Sequence, residues 1–184
     1  MRADAERNRE RILAAAEEVF GEAGPAGSTE EVARRAGVGV GTVFRHFPTK
    51  DALVEAALVG HFADLTAQAR AAAAEVDAAT GLRRVVRTMI ETGAVKVRLL
   101  ELLRADGEPP EAVRTASTEL RDAVGVVLRR AQRAGAVRRS VSVDEVYLLI
   151  RGLAQASASQ PTSARTLTRA VDVVLDGLAA QRRV

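Results

Sequence analysis

The sequence predicts an all-α protein, and three observations carry that reading. Among 184 residues, hydrophobic types make up 47% and aromatics only 3%, so the core must be built from Ala, Val and Leu, which suit closely packed helices. Ala, Leu, Arg and Glu are abundant, and all four favour helix. Apolar residues recur at steps of three and four through most of the chain, with no strand-like pattern longer than 137–143. With 28% charged residues the composition is that of a folded domain, far from the high-charge, low-hydrophobicity signature of disorder. About nine helices are expected, in a small front unit of residues 1–50 and a larger rear unit of residues 51–184.

The first helix covers about 5–23, where Ile12, Ala16, Val19, Phe20 and Ala23 form one apolar stripe. The run Gly24-Pro25-Ala26-Gly27 stops it. Ser28 with Glu31 three residues on has the spacing of a capping box, so a new helix begins at Thr29. That helix turns Val32, Ala33 and Ala36 inward and ends at Gly37, the residue type best suited to a left-handed C-terminal cap. Val38 packs beneath the turn. A second short helix, 40–47, follows, with Val43, Phe44 and Phe47 able to face the first. Two short helices around Ala36-Gly37-Val38 read as helix-turn-helix. Pro48 then breaks the chain, and Thr49 caps a long helix that carries Leu53, Val54, Ala57, Leu58, Phe62 and Leu65 on one side and runs towards Glu75.

The remaining helices are expected at about 82–93, 95–104, 111–134, 143–158 and 164–181, separated by breaks at 106–110, at Gly135 and at 157–161. The last two carry wide apolar stripes: Val146, Leu149, Ile150 and Leu153, then Leu167, Ala170, Val171, Val174, Leu175 and Leu178. Gly152, Ala154 and Ala156 leave room for a close backbone approach. Two such helices from each of two chains would make an isologous four-helix bundle, with Leu149, Leu153, Leu167, Val171, Val174 and Leu178 at the dimer interface. Helices of an intramolecular core have the same pattern.

Composition also excludes chemistries. The chain has no cysteine, which removes disulfides, iron–sulfur clusters, thiolate zinc sites and Cys nucleophiles together. His46 and His61 are its only imidazoles, too few for a His-rich metal site. There is no nucleophile elbow, dinucleotide-binding glycine motif or phosphate loop. The expectation is a non-enzyme without cofactor or metal. The longest apolar runs, such as 146–150, fall far short of the roughly 20 residues that span a bilayer. The polar start MRADAERNRERI is followed by no apolar leader segment. A cytoplasmic protein with no membrane partner is expected. Net charge is only +3, and residues 1–50 hold eight basic and eight acidic side chains. Bulk charge therefore does not argue for nucleic acid, and any such case rests on where particular residues sit.

The stretch RILAAAEEVFGEAG followed by STEEVARRAGVGVGTVFRHFPTKDALVEAAL resembles the DNA-binding region of the TetR family of bacterial transcriptional regulators, over about residues 9–58. The match combines the first-helix pattern, the Ala-Gly-Val turn, the FRHF-Pro block and a Lys ahead of an apolar helix. The chain length and the long helical remainder also suit that family, whose members are generally homodimers with a ligand-responsive C-terminal domain. The resemblance implies that 40–46 is a recognition helix in the major groove, with Val40, Gly41 and Arg45 nearest the base edges. An arginine can offer two donors to guanine O6 and N7, whereas Val40 can touch only apolar groups such as a thymine methyl. Thr42, His46 and Lys50 would face phosphates, as would Ser28 and Thr29 at the helix before. Ser28 and Thr49 serve equally well as plain helix caps, and Arg7 and Arg11 have Glu6 and Glu10 as ready intrahelical partners. Two departures stand out: Gly39 where the family often has Ser or Thr, and Phe44 where it often has Tyr, which keeps ring packing but loses a hydroxyl contact to the DNA backbone.

The resemblance also implies a small-molecule pocket among the rear helices. Phe62, Met89, Leu99, Leu103 and Tyr147 would supply apolar lining, with His61, Arg98, Glu101 and Gln155 as orienting polar groups. The arginines of 81–108 would suit an anionic ligand or form a solvated face. Together these implications describe a sequence-specific, homodimeric regulator, acting as a repressor that a small-molecule inducer releases from a palindromic double-stranded operator. The alternative is a helical ligand- or partner-binding module with a weak or vestigial DNA head, motivated by the few donors that Gly39, Val40 and Gly41 offer.

Overall fold

In the computed structural model, which describes residues 2–104 and 107–180, the chain forms nine α-helices joined by turns. They are α1 (Arg2–Ala23), α2 (Thr29–Ala36), α3 (Val40–His46), α4 (Lys50–Ala74), α5 (Ala78–Glu91), α6 (Gly93–Arg104), α7 (Glu111–Arg133), α8 (Val143–Ser159) and α9 (Ala164–Leu178), with a single 3-10 turn at Gly24–Ala26. The all-α reading holds across the described residues. The only strand-like pairing among the described residues is one isolated antiparallel bridge between Val137 and Ala179. No helix among them is long and apolar enough to cross a membrane.

The chain forms two compact units: one of 1–61 with 95–116, the other of 62–94 with 117–184. The first is centred on Ile12, Ala16, Val19, Phe20, Val32, Val43, Leu53 and Leu58, all at 1% exposure or less. Burying a side chain of this kind contributes about 1.5–3 kcal/mol. Three further contacts tie α1 into this unit. Gly21 lies so close to Val95 of α6 that an added Cβ would stand 3.0 Å from a Val95 methyl, and the Arg98 guanidinium donates to the Gly21 carbonyl. His61, itself buried, places Nδ1 3.3 Å from Glu17 Oε2 on α1.

In the second unit, Leu82, Val85, Val86 and Ile90 of α5 pack with Val146 and Ile150 of α8 and Val171 and Leu175 of α9. The arginines of α5 turn to carboxylates. Arg83 reaches Asp176 at 2.9 Å, Arg87 reaches Asp172 at 2.6 Å, and Arg84 pairs with Glu75. The solvated-face reading of this arginine-rich stretch therefore describes these side chains. Gly93, at the start of α6, sits against Ala154: a Cβ there would stand 2.4 Å from the Ala154 Cβ. Ala154 is thus used inside the chain, whereas Gly152 and Ala156 remain exposed.

Several boundaries move for local reasons. Helix α5 starts at Ala78 because Asp77 caps it, accepting from the amides of Ala79 and Thr80. Helix α9 ends at Leu178 because the chain then pairs with 136–138, Arg138 N donating to Leu178 O and Ala180 N to Ala136 O. Gln181 and Asp106, used above as landmarks, lie outside the described residues.

Candidate nucleic-acid interface

Helices α1, α2 and α3 with the start of α4 build the head. Ser28 begins α2 by accepting from Glu31 N at 3.1 Å, which satisfies one orphan amide of the first turn. The reciprocal half of the capping box does not form. Glu31 instead accepts from Arg34 at 2.6 and 2.8 Å and from Arg35 at 3.0 Å, and these hydrogen bonds hold its carboxyl well below the usual carboxylate range, at about 2. Arg35 also donates to Glu22 of α1 at 2.7 Å, so the cluster ties α2 to α1. The full box lies elsewhere: Ser142 accepts from Glu145 N, and Glu145 accepts from Ser142 N.

At the C-terminus of α2, Gly37 takes φ +66, and Val38 N reaches back to Ala33 O at 3.0 Å. A non-glycine residue would be strained at that φ. The turn delivers the chain to Gly39, which caps α3 with ordinary extended dihedrals and no side-chain hydrogen bond. Helix α3 then divides by face. Val43 and Phe47 are buried at 0% and 5%, while Val40 and Phe44 stand 40% and 44% exposed. Phe44 therefore does not pack against α2 as expected, because a 3.6-residue period groups it with Val40 and not with Val43.

Gly41 and Arg45 are exposed as well, with nothing within 4 Å of where a Gly41 Cβ would stand. Arg45 has no hydrogen bond or ion pair among the described residues, so its guanidinium is unengaged. Thr42 and His46 are half-buried on the flanks, His46 lying beside the Phe47 ring. The structure thus brings Val40, Gly41, Thr42, Phe44, Arg45 and His46 together on one short helix. Three other positions are already engaged within the head. Thr29 is buried, Ser28 is occupied as a cap, and Lys50 turns inward, donating from Nζ to Gly27 O at 2.7 Å and Pro25 O at 3.3 Å with the Phe20 ring 5.3 Å below. Thr49 caps α4 by accepting from Ala52 N. The Lys50 clamp has no local sequence signal, because its partners lie more than twenty residues back.

On α1, Arg7 pairs with Asp4 and Arg11 with Asn8, both three residues earlier, not with Glu6 and Glu10. Arg9 lies over the Phe47 ring at 5.6 Å, a contact the sequence reading missed.

The residues expected to line a ligand pocket fall in both compact units. His61, Leu99 and Leu103 belong to the first, and Phe62, Met89 and Tyr147 to the second, and all six are buried. The polar candidates have protein partners where their bonds are described: His61 with Glu17, Arg98 with Gly21 O, and Gln155 with Ser159. Tyr147 differs. Its hydroxyl is buried without a hydrogen-bond partner among the described residues, the Arg121 guanidinium lies 5.4 Å from its ring centre, and burial pushes its ionisation above the ordinary tyrosine value. A surface cleft of about 390 Å³, lined by residues of α1, α4 and the start of α7, includes none of the six.

On the C-terminal helices, Val171 and Leu178 are buried in the chain's own core and Leu149 is 38% exposed, with Leu153, Leu167 and Val174 between. Two more exposed side chains, Leu148 at 63% and Val173 at 72%, escaped the sequence reading because they lie outside the stripes that fill the core.

Comparison with known proteins bears on this arrangement. Residues 12–57 match the family model described as bacterial regulatory proteins, tetR family. Residues 77–180 match the C-terminal domain model of SbtR-like transcriptional regulators. Among solved structures, a TetR transcriptional regulator from Streptomyces coelicolor is 33% identical, covering 94% of this chain and 99% of its own, with a TM-score of 0.82. A TetR transcription regulatory protein from Mycobacterium vanbaalenii is 35% identical, covering 97% and 99%, with a TM-score of 0.79. No curated protein matches the chain.

Proposed function

This chain belongs to the TetR family of transcriptional regulators, and on that premise we propose that it is a homodimeric repressor, released from a near-palindromic operator by a small-molecule inducer. Residues 1–50 serve as the DNA-binding head, and 51–184 bind the effector and dimerise. The observation that carries this reading is the outward face of α3, where the unengaged Arg45 stands exposed beside Val40, Gly41 and Phe44. An arginine so placed has no structural duty in the fold and can present two donors to guanine in the major groove. Thr42 and His46 flank it at the level of the phosphates. The exposed Leu148, Leu149 and Val173 supply the dimer face. Tyr147, Phe62 and Met89 of the rear unit contact the effector, with the Tyr147 hydroxyl as a donor. The protein acts as a cytoplasmic non-enzyme.

The test is selection of bound fragments from random DNA at physiological salt. The expected result is an inverted repeat whose half-sites lie about one helical turn apart, ~34–36 Å. Arg45→Ala should relax discrimination at one base pair in each half-site, by ~1–3 kcal/mol. Equal loss on operator and random DNA would overturn Arg45 as a base reader.

A second reading, a ligand- or partner-binding module with a vestigial head, draws on Lys50 and Gly39. The first is turned into the protein and the second brings no cap, so the head offers few phosphate donors. A folded dimer that enriches no sequence at any salt concentration would favour it.

A further inference from the structure

Helix α3 leaves two large apolar side chains in solvent. Val40 and Phe44, at 40% and 44% exposure, stand one turn apart, so they form a single ridge with ~5–6 Å between Cβ atoms. A hypothetical Cβ on Gly39 or Gly41 would meet nothing within 4 Å, so no bulk at the N-terminal end of the helix holds this ridge away from an opposing surface. Neither side chain can donate or accept a hydrogen bond, and leaving both in water costs the free energy that Val43 and Phe47 recover by burial.

Resting on the reading that α3 enters the major groove, the geometry points to Val40 and Phe44 as readers of thymine C5-methyl groups, so each half-site carries two thymines one to two base-pair steps apart. The thymine methyl is the apolar group that the major-groove edges present. Set against N7, O6 or N4 instead, the ridge would strip water from a polar atom and return no hydrogen bond. The spacing follows from the ridge itself, because ~5–6 Å between Cβ atoms corresponds to between one and two steps of 3.4 Å rise. Arg45 and the ridge then divide the work: a donor fork selects guanine, and two apolar contacts select thymine. The Phe44 ring, lacking a hydroxyl, makes the second contact where a phenol would be drawn to a phosphate.

The experiment uses the full-length protein and its selected operator, with each thymine of a half-site replaced in turn by deoxyuridine. That change keeps pairing and every hydrogen-bonding group and removes one methyl. Two positions per half-site are expected to lose affinity by about fourfold each, the effect of exposing one buried methyl group, while the other thymines stay within twofold. Val40→Ala should abolish the sensitivity at one of the two positions and Phe44→Ala at the other. Deoxyuridine titrations of the unaltered protein decide the matter even where a variant fails to fold. Tight operator binding that is indifferent to every deoxyuridine overturns the methyl readout and leaves the repressor reading intact. So does undiminished deoxyuridine sensitivity in both alanine variants, which would assign the methyl contacts to other residues. Failure to enrich any repeat overturns both.

Discussion

Gly39 holds the N-cap of α3 at φ −72 and ψ 145, dihedrals that any residue adopts, and no side chain there accepts from the first amides. Space is open where a Cβ would stand. Gly39→Ser should therefore stabilise the head by about 0.5–1 kcal/mol, through a new cap and a less flexible unfolded chain. A denaturant melt would show the gain, and an unchanged midpoint would mean that the serine does not cap. At this scale the sequence was uneven. For Arg45 the signal was the family resemblance carried by the FRHF block, and the structure leaves its side chain exposed on α3. Lys50 escaped, because clamping the Pro25 and Gly27 carbonyls is a tertiary event between segments that only folding brings together. Phe44 was half legible: its place in the helix was plain, but its exposure depended on which of two adjacent aromatics the core could take.

Helices α1 and α2 are joined by the Glu22–Arg35–Glu31–Arg34 cluster, and this sets an acid response. Hydrogen bonds from Arg34 and Arg35 hold Glu31 down at about 2 from an ordinary value of 4.5. A carboxyl depressed in the folded state contributes stability that is full above its unfolded value and is lost as pH falls through the folded one. The melting temperature should thus decline between about pH 4.5 and 2, and Glu31→Gln should flatten that decline. Equal slopes in both proteins would remove the cluster as its cause. The Ser28-x-x-Glu31 spacing suggested a reciprocal box, yet arginines three and four residues ahead competed for the carboxylate and won; Ser142 and Glu145 face no such competitor three or four residues on, and there the box forms. Asp77 went unread as a cap because the apolar stripe that marks α5 begins only at Leu82. Between elements, Gly93→Ala should cost about 1–3 kcal/mol, since its Cβ would overlap that of Ala154 and neither can rotate away. A thermal melt checks this, and a neutral result would mean that α6 and α8 separate without strain.

At the scale of the molecule, the nine helices of the described residues and their order were legible from apolar periodicity and breakers alone. The return of 95–116 to the first compact unit was not legible, because it depends on contacts made far apart in sequence. The proposed assembly can be tested where the surface is apolar. Leu148→Glu combined with Val173→Glu should convert a dimer to a monomer in sedimentation, with the melting midpoint of the monomer little changed because both side chains are exposed. A dimer that persists would place the interface elsewhere. One buried side chain also makes the protein unusually easy to watch. The chain has a single tyrosine and no tryptophan, so near-ultraviolet absorbance and intrinsic emission come almost wholly from Tyr147, sealed beside Arg121 with its hydroxyl unpartnered among the described residues. Any event that repacks α7 against α8, wets that ring or offers its hydroxyl an acceptor is reported by one chromophore at one known address, without a label.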